Sequence, residues 1–185
     1  MSIPQQTRWA ALAVAGLTAF SAPAWASKVH LVTSMGDIVI ELDAQKAPKS
    51  VANFEQYVKE GHYDGTVFHR VIPNFMIQGG GMLPSLKEKP THKPIPLESH
   101  NGLANLKGTV AMARTGERDS ATAQFFINVQ DNPFLDQGDG YAVFGRVVSG
   151  MDVVEKIKQV STTTKGMYEN VPQTPVIIKK ATLEK

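Results

Sequence analysis

Short stretches of alternating apolar and polar residues recur along most of this chain, and each is typical of a half-buried strand. The first stretch, Lys28 to Asp43, has Ser34 to Asp37 at its centre and predicts a β-hairpin. Further strands are predicted at Val67 to Ile72, Phe75 to Gln78, Thr109 to Arg114, Gln124 to Val129, Tyr141 to Val148 and Val176 to Leu183. With the hairpin, the pattern predicts eight strands.

Two segments follow helical periodicity instead. Apolar residues recur at helical spacing from Pro48 until Gly61, which supplies a stop, and a second helix is expected from about Met151 to Val160. The strands and helices do not alternate as they do in a parallel α/β sheet. We therefore predict a mainly β fold, a closed eight-stranded antiparallel barrel capped by two helices, because closure removes the exposed strand edges.

Residues 1–26 are expected to lie outside this domain. They contain a single charge, a run of apolar and weakly polar residues at 10–20, and the small residues of a signal peptidase site at 24–26. The alternative, a transmembrane anchor, needs about 20 apolar residues to cross a bilayer, and this run is shorter. We expect export, cleavage after Ala26, and a single domain over residues 27–185 with no stable membrane association.

Composition and spacing exclude several other functions. The chain has 19 Lys and Arg against 17 Asp and Glu, a net charge of +2, and no basic run, so a nucleic-acid partner is not expected. Without cysteine it has no thiolate nucleophile and no Cys-ligated zinc, and its composition fits an oxidising compartment. The five histidines lack the spacing of a helical metal pair, so no metal site is predicted.

Two further segments suggest phosphate binding or acyl transfer but lack residues that this chemistry requires. Gly79 to Gly81 lacks the Lys-Ser/Thr of a phosphate-binding loop and the spacing of a dinucleotide fingerprint. Tight turning or close backbone approach is the better account of these glycines. Ser120 lies in a predicted loop with no evident His and Asp partners, so acyl transfer has little support.

Three strand faces mix polar and apolar residues, which suits an apolar cleft with a few hydrogen-bonding groups. Alternation places on these faces Phe68 with Arg70 and Ile72, Met76 with Gln78, and Gln124 with Phe126 and Asn128. Arg70 has the greatest weight, because its guanidinium adds nothing to packing. The ordinary alternatives are an exposed ion pair for Arg70 and core packing for Phe126 and Met76.

Four segments then identify a family: FHRVIPNFMIQGG at 68–80, GTVAMAR at 108–114, SATAQFFIN at 120–128, and FLD at 134–136 followed by YAVFGRV at 141–147. In order and spacing they resemble the cyclophilins, which are peptidyl-prolyl cis-trans isomerases, over nearly all of residues 29–183. The resemblance is greatest to the exported cyclophilins of Gram-negative bacteria, in agreement with the predicted signal peptide.

The resemblance implies a peptide groove on the outer face of the barrel and no cofactor. Arg70 would be the catalytic arginine. The pocket for the substrate proline ring would comprise Phe75, Met76, Phe126 and Leu135, and the peptide main chain would bind Gln78, Gln124 and the backbone around Ala113 and Arg114. Phe134 and Tyr141 also belong to the predicted peptide site; the best-known eukaryotic members have Trp and His there, so tight cyclosporin binding is not expected.

These observations predict a monomeric, periplasmic prolyl isomerase that acts on X-Pro bonds of exported proteins and assists their folding. The alternative is a chaperone or adaptor that binds proline-containing peptides without significant turnover. The intact catalytic set favours the enzyme, since a binder needs no transition-state donor. A lipocalin-type barrel is disfavoured because the predicted inward faces carry large residues, among them Phe125, Ile127 and Phe144.

Overall fold

The computed structural model describes residues 27–184, so the predicted signal segment lies outside the described residues. The strands are β1 (Lys28–Thr33), β2 (Gly36–Leu42), β3 (Val67–Ile72), β4 (Met76–Met82), β5 (Thr109–Met112), β6 (Phe125–Asn128), β7 (Val143–Ser149), β8 (Thr162–Lys165), β9 (Tyr168–Pro172) and β10 (Val176–Glu184). The helices are α1 (Pro48–Lys59), α2 (Met151–Ile157) and a short 3₁₀ helix, Pro133–Asp136.

Eight of these strands form a closed antiparallel barrel in the order β1-β10-β3-β4-β6-β5-β7-β2. Each of the eight corresponds to a predicted strand, which confirms the predicted fold class. Because the barrel is closed, β1 pairs with both β10 and β2, and β2 also pairs with β7. The first and last strands of the described chain therefore lie side by side.

Helix α1 packs its apolar face against the barrel. Pro48 lies in the first turn, where its missing N–H costs no hydrogen bond, and Gly61 beyond the helix has a φ of +68°. Phe54 is fully buried, with its ring 5.3 Å from that of Phe125 and 5.0 Å from that of Phe144. The barrel interior is therefore filled with side chains, as a lipocalin-type ligand cavity would not be.

The interior and the outer face carry separate apolar clusters. Phe125 and Ile127 of β6 belong to the interior core, whereas Phe126 between them packs on the outside with Met76. Among residues 27–184, no helix combines the length and apolar character required to cross a membrane.

The secondary structure differs from the prediction in several places. Strand β4 continues through the glycines to Met82, and helix α2 ends at Ile157. A two-stranded sheet, β8 with β9, was not predicted, because TTTK and YENVP offer few apolar residues to mark a buried face. It lies between α2 and β10.

Phe68 lies on a different face from the one that strict alternation predicts. Phe68 is buried in the interior with Val71, while Arg70 faces outward. Register shifts between Val67 and Arg70 interrupt the pairing of β3 with β4, and such an irregularity re-aims one side chain. The prediction that Phe68 shares a face with Arg70 was therefore wrong.

Substitution of Gly80 tests whether β4 needs glycine to pass close to the interior core. Its φ is +85°, and a methyl group there would lie 2.8 Å from the rings of both Phe125 and Tyr63. We expect Gly80→Ala to lower the free energy of unfolding by roughly 2 to 5 kcal/mol, from left-handed strain plus overpacking. Gly65→Ala is the control, since Gly65 has a φ of +79° and open space around it. Urea unfolding that gives equal losses for the two variants would contradict this account.

Candidate active site

The outer face of the barrel carries a compact apolar cluster at β4, β5, β6 and β7. Met76 from β4 and Phe126 from β6 are 1% and 4% exposed, so they are buried in this second cluster and not in the barrel core. Its other buried members are Ala111, Leu135 and Val143, and it is bordered by Ile72, Phe75, Leu103, Ala113 and Tyr141. The result is an apolar depression that side chains from distant segments assemble.

The 3₁₀ helix Pro133–Asp136 supplies one wall of this depression. Leu135 points into the cluster, and the ring of Phe134 lies 5.5 Å from that of Phe75, with 54% of Phe134 exposed. Asp136 fixes the helix, because its carboxylate accepts hydrogen bonds from the backbone N–H and the side-chain amide of Asn105, the latter at 2.7 Å.

Buried asparagines hold this wall to the sheet. Alternation placed Asn128 on a cleft face, but neither Asn105 nor Asn132 was predicted to contribute to the site. Asn132 Nδ2 donates to Phe75 O at 2.9 Å and to Asn128 Oδ1 at 2.8 Å. Asn128 Nδ2 in turn donates to Asn105 Oδ1 at 3.0 Å. All three asparagines are fully buried, so each unpaired amide would carry a desolvation cost. The network therefore positions Phe75 and Leu135 without itself lining the depression.

One end of the depression is polar. Gln78 Nε2 donates to Gln124 Oε1 at 2.9 Å, and Gln78 lies opposite Phe126 in the pairing of β4 with β6. The hydrogen bond uses one donor and one acceptor of the two amides, so others remain for a peptide. Ala113 N donates to Gln124 O at 3.0 Å, which places the backbone of Ala113 beside the same pair.

Arg70 extends along the neighbouring strand. It lies opposite Gln78 in the pairing of β3 with β4, and its guanidinium carbon is 6.0 Å from the ring centroid of Phe75. The ion pairs of residues 27–184 that involve arginine use Arg118 and Arg146, not Arg70. The exposed ion pair considered as the alternative is thus absent from the described residues, and the guanidinium of Arg70 lies beside Phe75.

Arg114 and Tyr141 pack together beside Phe126. The guanidinium carbon of Arg114 lies 4.8 Å from the ring centroid of Tyr141, and Arg114 Nε donates to Gly140 O at 3.0 Å. The ring of Tyr141 packs edge-on at 5.7 Å from that of Phe126. The structure therefore gathers the predicted residues around the outer apolar cluster, with Arg70 beside Phe75 and Arg114 beside Tyr141.

His69, next to Arg70, is buried, with 5% of its surface exposed. Burial, with a smaller contribution from the positive charge of Arg70, lowers the pKa of its imidazole to about 4. Its Nδ1 has no hydrogen-bond partner among the described residues. His69 is therefore neutral at physiological pH and adds no second charge beside Arg70.

Among residues 27–184, no group of three His, Asp or Glu side chains is arranged to hold a metal ion. Ser120 is engaged in a local turn: its Oγ donates to Glu117 O at 2.7 Å and accepts from Thr115 N at 3.0 Å. The chemistry that the groove offers is therefore an arginine donor, amide groups and an apolar pocket.

This groove and barrel define a cyclophilin-type fold, and comparison with known proteins identifies the same family. The model of the cyclophilin type peptidyl-prolyl cis-trans isomerases matches residues 28–183, so the chain belongs to this family. It is an enzyme of the isomerase class.

Two bacterial relatives are similar over nearly their whole length. Peptidyl-prolyl cis-trans isomerase A of Dickeya dadantii is 56% identical over 183 residues, covering 95% of this chain and 96% of the relative. Peptidyl-prolyl cis-trans isomerase B of Escherichia coli is 55% identical over 157 residues, covering 82% of this chain and 96% of the relative.

Solved structures agree. A Cryptosporidium parvum cyclophilin type isomerase superposes with a TM-score of 0.75 at 26% identity, covering 87% of this chain and 99% of the other. The structure of that isomerase in the presence of the dipeptide Ala-Pro gives a TM-score of 0.73, also at 26% identity, and covers 85% of this chain and 99% of the other.

The neutral, buried His69 predicts a pH dependence of stability. Because its pKa is about 4 in the folded chain and roughly 6.5 in the unfolded chain, the unfolded chain binds the extra proton between these values. Its contribution is fully present above pH 6.5 and is lost as the pH falls towards 4, by about 3 kcal/mol in all. In His69→Gln, urea unfolding should show a shallower decline over this window than in the wild type. Equal slopes would contradict the assignment.

Proposed function

We propose that this chain catalyses cis-trans rotation at X-Pro bonds of exported proteins in the periplasm and thereby assists their folding. The observation that carries the proposal is Arg70, a guanidinium without a carboxylate partner among the described residues, beside Phe75 at the edge of the outer apolar cluster. Proline-containing segments of incompletely folded chains are the proposed substrates. The dipeptide present with the Cryptosporidium relative has this chemistry.

The reaction makes and breaks no covalent bond. Amide resonance opposes rotation with a barrier of ~18 to 20 kcal/mol, and uncatalysed exchange takes roughly 10 to 100 s. To shorten this time to about a millisecond requires ~10⁵-fold acceleration, or ~7 kcal/mol off the barrier. The enzyme has only to stabilise the twisted amide relative to the planar one.

Arg70 is the proposed donor to that twisted state. When resonance is broken, the prolyl nitrogen regains a basic lone pair, to which the guanidinium donates a hydrogen bond. The planar ground state lacks this acceptor, so the interaction favours the transition state selectively. A charge-assisted hydrogen bond contributes about 1.5 to 3 kcal/mol, which is less than half of what is required.

The rest of the barrier reduction is assigned to positioning and desolvation. Met76, Phe126 and Leu135 would hold the proline ring, while the Gln78–Gln124 pair and the backbone at Ala113 and Arg114 hold the main chain on either side. With the ring fixed, rotation is confined to the acyl group, and the apolar wall removes water that stabilises the polar planar amide.

Replacement of Arg70 tests its role directly. We expect Arg70→Ala to lower kcat/KM for a proline tetrapeptide by at least about 10-fold with an unchanged circular dichroism spectrum and unfolding midpoint. Arg70→Lys should also lose most activity, because an ammonium lacks the planar fork of donors. Wild-type rates in Arg70→Ala would overturn the catalytic assignment, and wild-type rates in Arg70→Lys would reduce it to a requirement for charge.

Export is the second part of the proposal, and it rests on the signal-like residues 1–26. We expect the full chain, expressed in a Gram-negative host, to be recovered from the periplasmic fraction with Ser27 at its N-terminus. Intact-mass measurement and N-terminal sequencing of that fraction check this. Recovery of the uncleaved chain from the cytoplasm would contradict it, while the isomerase assay on residues 27–185 stands independently.

A further inference from the structure

A second concavity lies beside the groove, on the outer face of β2 and β7. It is a cavity of about 650 Å³, roofed by the segment from Gly102 to Leu106. Its apolar lining includes Leu42, Leu103, Leu106 and Val143. This volume lies within the range of small ligand pockets, and no step of the proposed reaction uses it.

The cavity and the proline pocket share a wall. Val143 and Leu103 line the cavity and also belong to the outer apolar cluster with Met76 and Phe126. The roof is held to the 3₁₀ helix, because Asn105 donates to Asp136 and Asn105 O accepts from Asn132 N at 2.8 Å. The cavity and the proline pocket are therefore adjacent, with Val143 and Leu103 between them.

The charged groups around the cavity are already paired. Arg146 Nη2 lies 2.7 Å from Glu41 Oε2, and Asp43 Oδ1 accepts from Lys46 N at 3.0 Å. By contrast Leu106 is 50% exposed, one of the few large apolar side chains of the described residues left this open to water. These features suit an uncharged apolar group as occupant better than an ion.

The spacing matches an extended polypeptide. Val143, at the shared wall, and Arg146, at the far side of the cavity, are three residues apart on β7, which at ~3.3 Å per residue is about 10 Å. An extended client chain covers this distance in about three residues.

We propose that this cavity binds an apolar side chain of the same client polypeptide whose proline occupies the adjacent pocket, about three to four residues along the chain. The proposal rests on the proposed function, since it requires a proline-containing client. It gives the enzyme a preference for prolines near apolar residues, which are segments that a folded protein buries.

The test uses residues 27–185 and a blocked peptide, Ala-Ala-Pro-Ala, as the reference substrate. Longer peptides then carry either Leu or Ser, placed three or four residues before the proline in some and after it in others. We expect one leucine peptide to show a KM at least about fivefold lower than its serine counterpart. Leu106→Glu and, independently, Ala104→Glu should abolish this difference and leave kcat/KM for the short peptide unchanged. Met167→Glu, at an 86% exposed site in the turn between β8 and β9, should preserve it.

Each outcome decides a separate point. Equal KM values for the leucine and serine peptides in the wild type would overturn the cavity proposal and leave the isomerase intact. A leucine preference that persists in both glutamate variants would place the contact elsewhere and would also overturn it. Absence of catalysis on the short peptide would instead contradict the proposed function.

Discussion

The close approach of β4 to its neighbours, which only glycine permits, is the constraint on which the rest of the site depends. A side chain at Gly80 would meet the rings of Phe125 and Tyr63 in the core, and one at Gly81 would overlap Gln124 on the outer face. Because Gly81 leaves this space, Gln124 lies over β4 and its amide reaches Gln78. These two glycines thus serve the packing of the interior and the polar end of the groove.

The barrel separates stability from function by the two faces of the same strands. Along β6, Phe125 and Ile127 fill the interior, while Phe126 belongs to the groove. A substitution on the outer face therefore leaves no cavity in the core, provided that the buried asparagines beneath the groove keep their hydrogen-bond partners. Asn105, Asn128 and Asn132 connect the loops to the sheet, so hydrogen bonds tie the groove walls to the barrel.

Sequence periodicity predicted the barrel well because each of its strands is marked locally by alternation. It could not predict the side on which Phe68 lies, because the register shift beside it comes from pairing with β4. Nor did it predict the sheet of β8 and β9, whose strands bury few apolar residues. The site was predicted by resemblance rather than by pattern. The contact of Asp136 with Asn105 joins residues 31 positions apart, so no local pattern in the sequence indicates it.

The central claim is that the outer groove both binds proline and catalyses its rotation. The most direct measurement is two-dimensional exchange NMR of residues 27–185 with a blocked Ala-Pro peptide at catalytic and at saturating ratios. The account predicts cis-trans exchange peaks at catalytic ratios, and at saturation shifts centred on the amides of Met76, Phe126 and Leu135. Shifts in that groove without exchange would make the protein a binder, and exchange with shifts centred elsewhere would contradict the location of the site.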